Sequence, residues 1–319
     1  GQFGVSVSMI LPGSNATRVG AHLIRYHTRL PVFSGVTARQ AAVDATLPEA
    51  VEALAGTLVP DYLATGLSPA EAADAASRTA AALTTSAYAN RAGYFVEYPE
   101  EISMVGASFS TSTLRHGILL SGDIAHHFDF PFQLSLSEVF AAVLSPIQFD
   151  PAAGDSRLGR FGADEVVKGY VRRDKTQASL GLTKLLGPRL GASQTTLGGD
   201  VAWVHVHDMP DGDEAPLHAV APPSAHSWGY RAVASMTYNH VFGGLTLVPR
   251  LVWTHDVHGI TPAPVSTFIA GRKSLSLGLA ARYIDRWTAD LGYTRFFGAG
   301  NDNLVRDRDL VRFRVSYTF

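Results

Sequence analysis

Along most of this chain apolar and polar side chains alternate one for one, the period of a β-strand with one greasy face. The last nine residues, "VRFRVSYTF", put Val311, Phe313, Val315, Tyr317 and Phe319 on one face and Arg312, Arg314, Ser316 and Thr318 on the other. Upstream, "RWTADLGYTRFFG" sets Trp287, Ala289, Leu291 and Tyr293 against Thr288, Asp290, Gly292 and Thr294. "RKSLSLGLAARY" sets Leu275, Leu277, Leu279, Ala281 and Tyr283 against Ser274, Ser276, Gly278, Ala280 and Arg282. The same period runs through "GLTLVPRLVW", "GYRAVASMTYNH", "TTLGGDVAWV", "QASLGLTKL", "HGILLSGDIAH", "ISMVGASFSTS", "NATRVGAHLI" and "GQFGVSVSMI". That makes about eleven strands, most near the 9–11 residues that a tilted membrane strand needs.

The pattern predicts an all-β chain, a transmembrane antiparallel β-barrel with a helical insertion. The polar faces collect Arg18, Asp123, Asp200, Arg231, Arg250, Arg282, Asp290, Arg312 and Arg314 among Ser, Gly and Thr, which fits a crowded aqueous lumen. A soluble sandwich or Greek-key barrel shares the period of two, but its outer face would be richer in Lys and Glu. Connections alternate as well. Short turns such as "IDR", "VFGG", "LGPRLG" and "LPGSN" lie on one side, long polar links at about 208–226, 255–270 and 298–307 on the other, the asymmetry of an outer-membrane barrel. Trp203, Trp228 and Trp253 fall at the long-loop end and Trp287 at the short-turn end, where aromatic girdles belong. With an odd count the first strand would start outside, so N-terminal strands are expected to be missing.

Two segments break the alternation. Residues 37–88 are Ala-rich, with Thr37 and Gln40, Thr46 and Glu49, and Ser68 and Glu71 each matching a capping box, and Pro48 and Pro69 in first-turn positions. This predicts a helical insertion with an apolar stripe of Ala70, Ala73, Ala76, Ala80 and Leu83, either a cap on the rim or a plug in the lumen. Residues 128–150 are expected to form an inward-folding apolar loop, with a fourth capping box at Ser135 and Glu138 and a short helix. Its Leu136, Val139, Phe140, Val143 and Leu144 are either structural packing or a site for a hydrophobic solute.

Composition narrows the remaining chemistry. The 319 residues are 46% hydrophobic and 17% charged with net charge −2, and no basic stripe suits a nucleic-acid partner. The absence of Cys removes disulfides, thiolate metal sites and Cys nucleophiles. No run approaches the roughly 18 apolar residues of a spanning helix, a test that barrels escape. Histidines pair at His126 and His127, His205 and His207, and around Asp256 at His255 and His258; two on one strand face could hold a metal, but positions at strand ends favour solvated side chains. Asp302, Asp307 and Asp309 lack EF-hand spacing, and Arg306 and Arg308 are natural partners for them. No nucleophile elbow, zinc helix or nucleotide loop occurs, so no catalytic residue, metal or cofactor is assigned and no enzyme is expected.

Six stretches carry a resemblance: "NATRVGAHLIRYHTRLP", "EYPEEISMVGASFSTST", "PFQLSLSEVFAA", "LVWTHDVHGITPAP", "FIAGRKSLSLGL" and "RFFGAGNDNLVRDRD", with the terminal "YTF". In this order they resemble an uncharacterised proteobacterial outer-membrane β-barrel family, domain of unknown function thirteen-oh-two, C-terminal portion. The resemblance implies a place in the bacterial outer membrane, among lipid and lipopolysaccharide. It also implies association with a resistance-nodulation-division inner-membrane exporter and a LolA/LolB-like periplasmic carrier. The expectation is a porin-like transport barrel for hydrophobic or lipid-like solutes, with a scaffold barrel of an envelope complex as the alternative and a lipid-processing enzyme third.

Overall fold

A computed structural model describes residues 1–13, 17–113, 116–150, 155–213, 215–284 and 286–319. Parts of the "LPGSN" turn, of the strand start at Asn15, of the 208–226 link and of the "IDR" turn lie outside the described residues. In chain order the strands are β1 (Phe3–Ile10), β2 (Arg18–Tyr26), β3 (Val32–Val36), β4 (Gly93–Glu97), β5 (Ile102–Thr113), β6 (Ile118–Gln133), β7 (Val166–Val167) and β8 (Tyr170–Arg189). They continue with β9 (Ala192–Val206), β10 (His226–Thr237), β11 (Leu245–His258), β12 (Lys273–Tyr283), β13 (Trp287–Phe297) and β14 (Leu310–Tyr317). The helices are α1 (Gln40–Asp44), α2 (Pro48–Ala64), α3 (Pro69–Ala89) and α4 (Leu136–Leu144).

Eleven strands form one sheet in the order β1-β2-β5-β6-β8-β9-β10-β11-β12-β13-β14, every pair antiparallel. Each strand lies beside the preceding strand of this sheet, joined by a direct connection except between β2 and β5 and between β6 and β8, where the helices and the short strands β3, β4 and β7 intervene. Leu190 and Gly191 close the β8–β9 hairpin with φ of 52° and 79°, a two-residue turn whose twist suits the strands it joins. That turn is shorter than "LGPRLG", since Leu186–Arg189 stay in β8 with shifted register. β1 and β14 are the two edges.

Register builds continuous rows across the sheet. One row runs Leu197, Ala234, Leu251, Leu277, Tyr293 and Val311 over six strands, and its neighbour runs Leu279, Leu291 and Phe313. These side chains are exposed apart from Ala234, with Val311 at 67% and Phe313 at 71%. On the opposite face the rows are mostly Ser, Thr, Gly, Arg and Asp, with Val248, Val252, Ala280 and Leu310 among them.

β3, β4 and β7 form a second, three-stranded antiparallel sheet in the order β4-β3-β7, which alternation did not reveal. It flanks the three helices of the 37–88 insertion. Of the four capping boxes only Ser68 with Glu71 forms: Ser68 Oγ accepts from Glu71 N, and the Glu71 carboxylate accepts from Ser68 N at 3.0 Å. Elsewhere other partners take the hydroxyls, distant for Thr37 and local for Thr46 and Ser135. Thr37 Oγ1 donates to Gly162 O at 2.8 Å, Thr46 Oγ1 donates to Val43 O at 2.7 Å, and Ser135 Oγ pairs with Ser137 Oγ. Pro48 and Pro69 do start α2 and α3. The buried stripe of α3 is Ala72, Ala76, Ala80, Thr84 and Tyr88; Ala70, Ala73 and Leu83 face solvent. Within this stripe Ala80 packs on Val51 and Ala55 of α2, and Tyr88 packs on Ala38, Ala42, Val43 and Ile147.

Residues 128–133 are not loop. They continue β6 past a bulge between His127 and Phe130, where Asp129 adopts φ 51°. From there Phe130, Phe132 and Leu134 enter a buried cluster with Ile102, Val139, Val143, Val167, Val206 and Leu217. This cluster fastens α4 and the small sheet to the long-loop end of the large one.

Candidate functional site

Strand parity and register put all nine charged side chains singled out in the sequence on the polar face of the large sheet, some of them paired and others apart. A cavity of about 790 Å³ lies against it, bounded by Ser110, Ser121, Ser179, Gly181, Asp200 and Arg231. Hydroxyls, small residues and one ion pair line this space together with Leu119, Leu120, Leu182 and Val233. Arg231 and Asp200, register partners on β10 and β9, pair at 2.7 Å. Ser179 donates to Asp123 across β8 and β6. Asp290 on β13 receives two guanidiniums, Arg312 at 3.0 Å and Arg250. Arg314 sits opposite Asp290, Arg282 opposite Thr246 and Thr288, and Arg18 opposite Ser110. Those three make no ion pair with any described residue.

Toward the long loops the same face is covered. His127 (6% exposed), Lys175 (4%) and Val206 (1%) share the parity of Asp123, Ser179 and Asp200, yet they are buried beneath the returning loops. Lys175 Nζ lies 4.1 Å from the Phe130 ring centre, and Tyr26 Oη pairs with His127 Nδ1 at 2.8 Å. His127 Nε2 is buried with no partner among the described residues. Gln133 stitches the loops down: its Oε1 accepts from Phe33 N at 2.7 Å, and its Nε2 donates to Gly169 O at 2.7 Å and Phe33 O at 3.0 Å. Gly169 permits this, because a Cβ there would stand 1.7 Å from Phe33 O. Sequence reading passed over Lys175 and Gln133. The parity of Lys175 within "RRDKTQASLG" was the available signal, whereas the burial depends on a loop folding back over it.

The five apolar residues of α4 do not share one surface. Val139 and Val143 are buried, Leu144 packs partly against a second cluster around Tyr88 and Ile147, Leu136 is half-buried, and Phe140 is 52% exposed on the other side. Tyr88 Oη donates to Val143 O at 3.0 Å, tying α3 to α4, and burial raises the phenol's pKa. The helix thus spends Val139 and Val143 on packing and leaves Phe140 exposed.

Histidines also sort differently from their sequence pairs. His126, His205, His207 and His226 form a chain of ring contacts beside Trp203, with His205 and His226 stacked at 4.1 Å. His127, adjacent to His126, points the other way and is buried rather than solvated. Among the described residues no group of three His, Cys, Asp or Glu side chains is placed to hold a metal ion. In the acidic loop, Asp309 accepts from Tyr293 Oη at 2.6 Å and Phe296 N at 3.2 Å, while Arg306 donates to Asn301 instead of to an Asp. Trp203 and Trp228 face each other in register, Trp253 Nε1 donates to Tyr230 Oη at 3.2 Å, and Trp287 packs on Tyr317 at 4.7 Å.

Comparison with solved structures finds the crystal structure of a Pseudomonas aeruginosa FadL homologue, 13% identical, with 99% of this chain and 64% of that chain covered and a TM-score of 0.35. This chain therefore spans less than two thirds of that structure's length, and a likeness so weak transfers nothing from one protein to the other. No curated protein matches. The model of the family described as "Protein of unknown function (DUF1302)" matches residues 1–319, the whole of the strand-and-insertion pattern described above, and the chain belongs to that family.

Proposed function

We propose that this chain is part of an outer-membrane transport barrel that passes hydrophobic or lipid-like solutes. One observation carries the reading: a row of uncovered apolar side chains, Leu197 to Val311, continuous over six strands and backed by a polar face. Soluble proteins rarely leave so long an apolar patch open to water, and hydrocarbon is the solvent that suits it. Closure of the sheet into a barrel and the outer membrane as its location are part of this proposal. So are a resistance-nodulation-division exporter as energy source and a LolA/LolB-like carrier as its periplasmic partner, for which the family resemblance is the support. The insertion of α1–α3 acts as a cap at the long-loop end in this reading, with α4 and the small sheet narrowing the passage below it.

Planar-bilayer recordings of the full-length protein test the proposal. Replacing Arg312 and Arg314 by Ala should change conductance while the folded fraction stays the same. A folded protein that neither conducts nor carries lipid-like molecules through purification would instead be a scaffold barrel.

A further inference from the structure

Four strands at the C-terminal edge place their polar-face residues on a lattice. The first row is Thr246, Arg282, Thr288 and Ser316; the second Val248, Ala280, Asp290 and Arg314; the third Arg250, Gly278, Gly292 and Arg312; the fourth Val252, Ser276, Thr294 and Leu310. Four arginines and one aspartate stand within the first three rows, a formal charge of 4 − 1 = +3. In the third row two arginines flank two glycines. A Cβ on Gly278 would meet Arg250 Nε at 3.7 Å, and one on Gly292 would meet Arg312 Nη2 at the same distance. Each guanidinium therefore lies over its neighbouring glycine and leans toward the other, and both reach the single carboxylate of Asp290. That contact uses one donor nitrogen of each arginine; no described residue accepts from the others.

A cavity of about 240 Å³ opens over this glycine floor, between Arg250 and Arg312 and above Ser276 and Thr294. It offers room for about eight water volumes. Convergent, forked guanidinium donors in excess over carboxylate match an oxyanion, whose oxygens accept two parallel hydrogen bonds from each fork. We propose that this corner of the polar face binds the acidic head group, carboxylate or phosphate, of the transported solute. The proposal rests on the transport reading for its solute, and on the lattice alone for its chemistry. Asp290 holds the two arginines in their converging pose, so its role is positioning.

Calorimetric titration of the full-length protein in nanodiscs tests it, with dodecyl phosphate, dodecanoate, inorganic phosphate and uncharged dodecyl maltoside as probes. Dodecyl phosphate or dodecanoate should bind at least tenfold more tightly than dodecyl maltoside, and the paired change Arg250→Ala with Arg312→Ala should abolish that margin. Inorganic phosphate binding as tightly as dodecyl phosphate would make the ligand a free anion and overturn the solute assignment. Gly292→Asp, which keeps both arginines and adds a carboxylate to the floor, should remove binding as well, and Arg18→Ala, elsewhere on the face, should not. Equal affinities for charged and uncharged probes, or binding indifferent to both the paired change and Gly292→Asp, would overturn the site. Arg-dependent binding by a protein that never conducts would sink transport while leaving the site standing.

Discussion

Leu291→Arg puts the membrane reading to its hardest test. Leu291 sits on β13 between register neighbours Leu279 and Phe313, 51% exposed, four residues from Trp287 at the short-turn end. Four residues span about 13 Å along the strand, and a tilt of about 40° leaves about 10 Å along the membrane normal. The proposed membrane placement, with an apolar band of about 25 Å and Trp287 at its margin, puts Leu291 close to the bilayer midplane. An arginine there should cost about 2–4 kcal/mol. In water the same exposed substitution would stay within about 0.5 kcal/mol. The matching control is Ser179→Arg on the polar face, beside Asp123, where a new ion pair offsets the lost hydrogen bond and the change should stay below about 1 kcal/mol. Reversible denaturant unfolding in liposomes, followed by tryptophan fluorescence, reads both. If Leu291→Arg costs no more than Ser179→Arg, lipid does not touch this face and the proposed location fails.

Three further outcomes follow from the covered end and the insertion. Gln133→Met takes the partner from the part-buried Phe33 N–H and removes the buried bond to Gly169 O, and should cost about 1–3 kcal/mol, loosening α4 and the small sheet while the large sheet holds; limited proteolysis within 134–169 should accelerate, and an unchanged digestion pattern would refute the stitching role. Lys175→Met removes a buried ammonium whose only described partner is the Phe130 ring; losing that cation–π contact costs about 0.5–2 kcal/mol, less than the several kcal/mol of burying the charge, so unfolding should shift to higher denaturant. The hydrogen bonds from Ser68, side chain first and backbone second, hold the Glu71 carboxyl below its ordinary pKa. A depressed folded-state value means stabilisation that is present above the unfolded carboxyl pKa and lost as pH falls through the folded one, so acidification should lower the helical circular-dichroism signal, and Ser68→Ala should blunt that dependence.

Strand count, strand order and the two-faced partition were legible in the sequence, because a period of two is written residue by residue and a hairpin sheet needs no other information. The charged polar-face residues were legible for the same reason: parity alone assigns Arg250, Asp290 and Arg312 to one side. Parity says nothing about distance across strands. Only register set Gly278 and Gly292 side by side between Arg250 and Arg312, and gave two arginines to one aspartate while leaving Arg282 and Arg314 without one. Caps failed where a distant partner competed, as Gly162 did for Thr37, since a local motif cannot report what returns to it from 125 residues along the chain. The small sheet, the burial of Lys175 and His127, and the division of α4 between core and solvent share that cause: each depends on loops folding back over strand ends, a long-range closure that composition and periodicity do not encode.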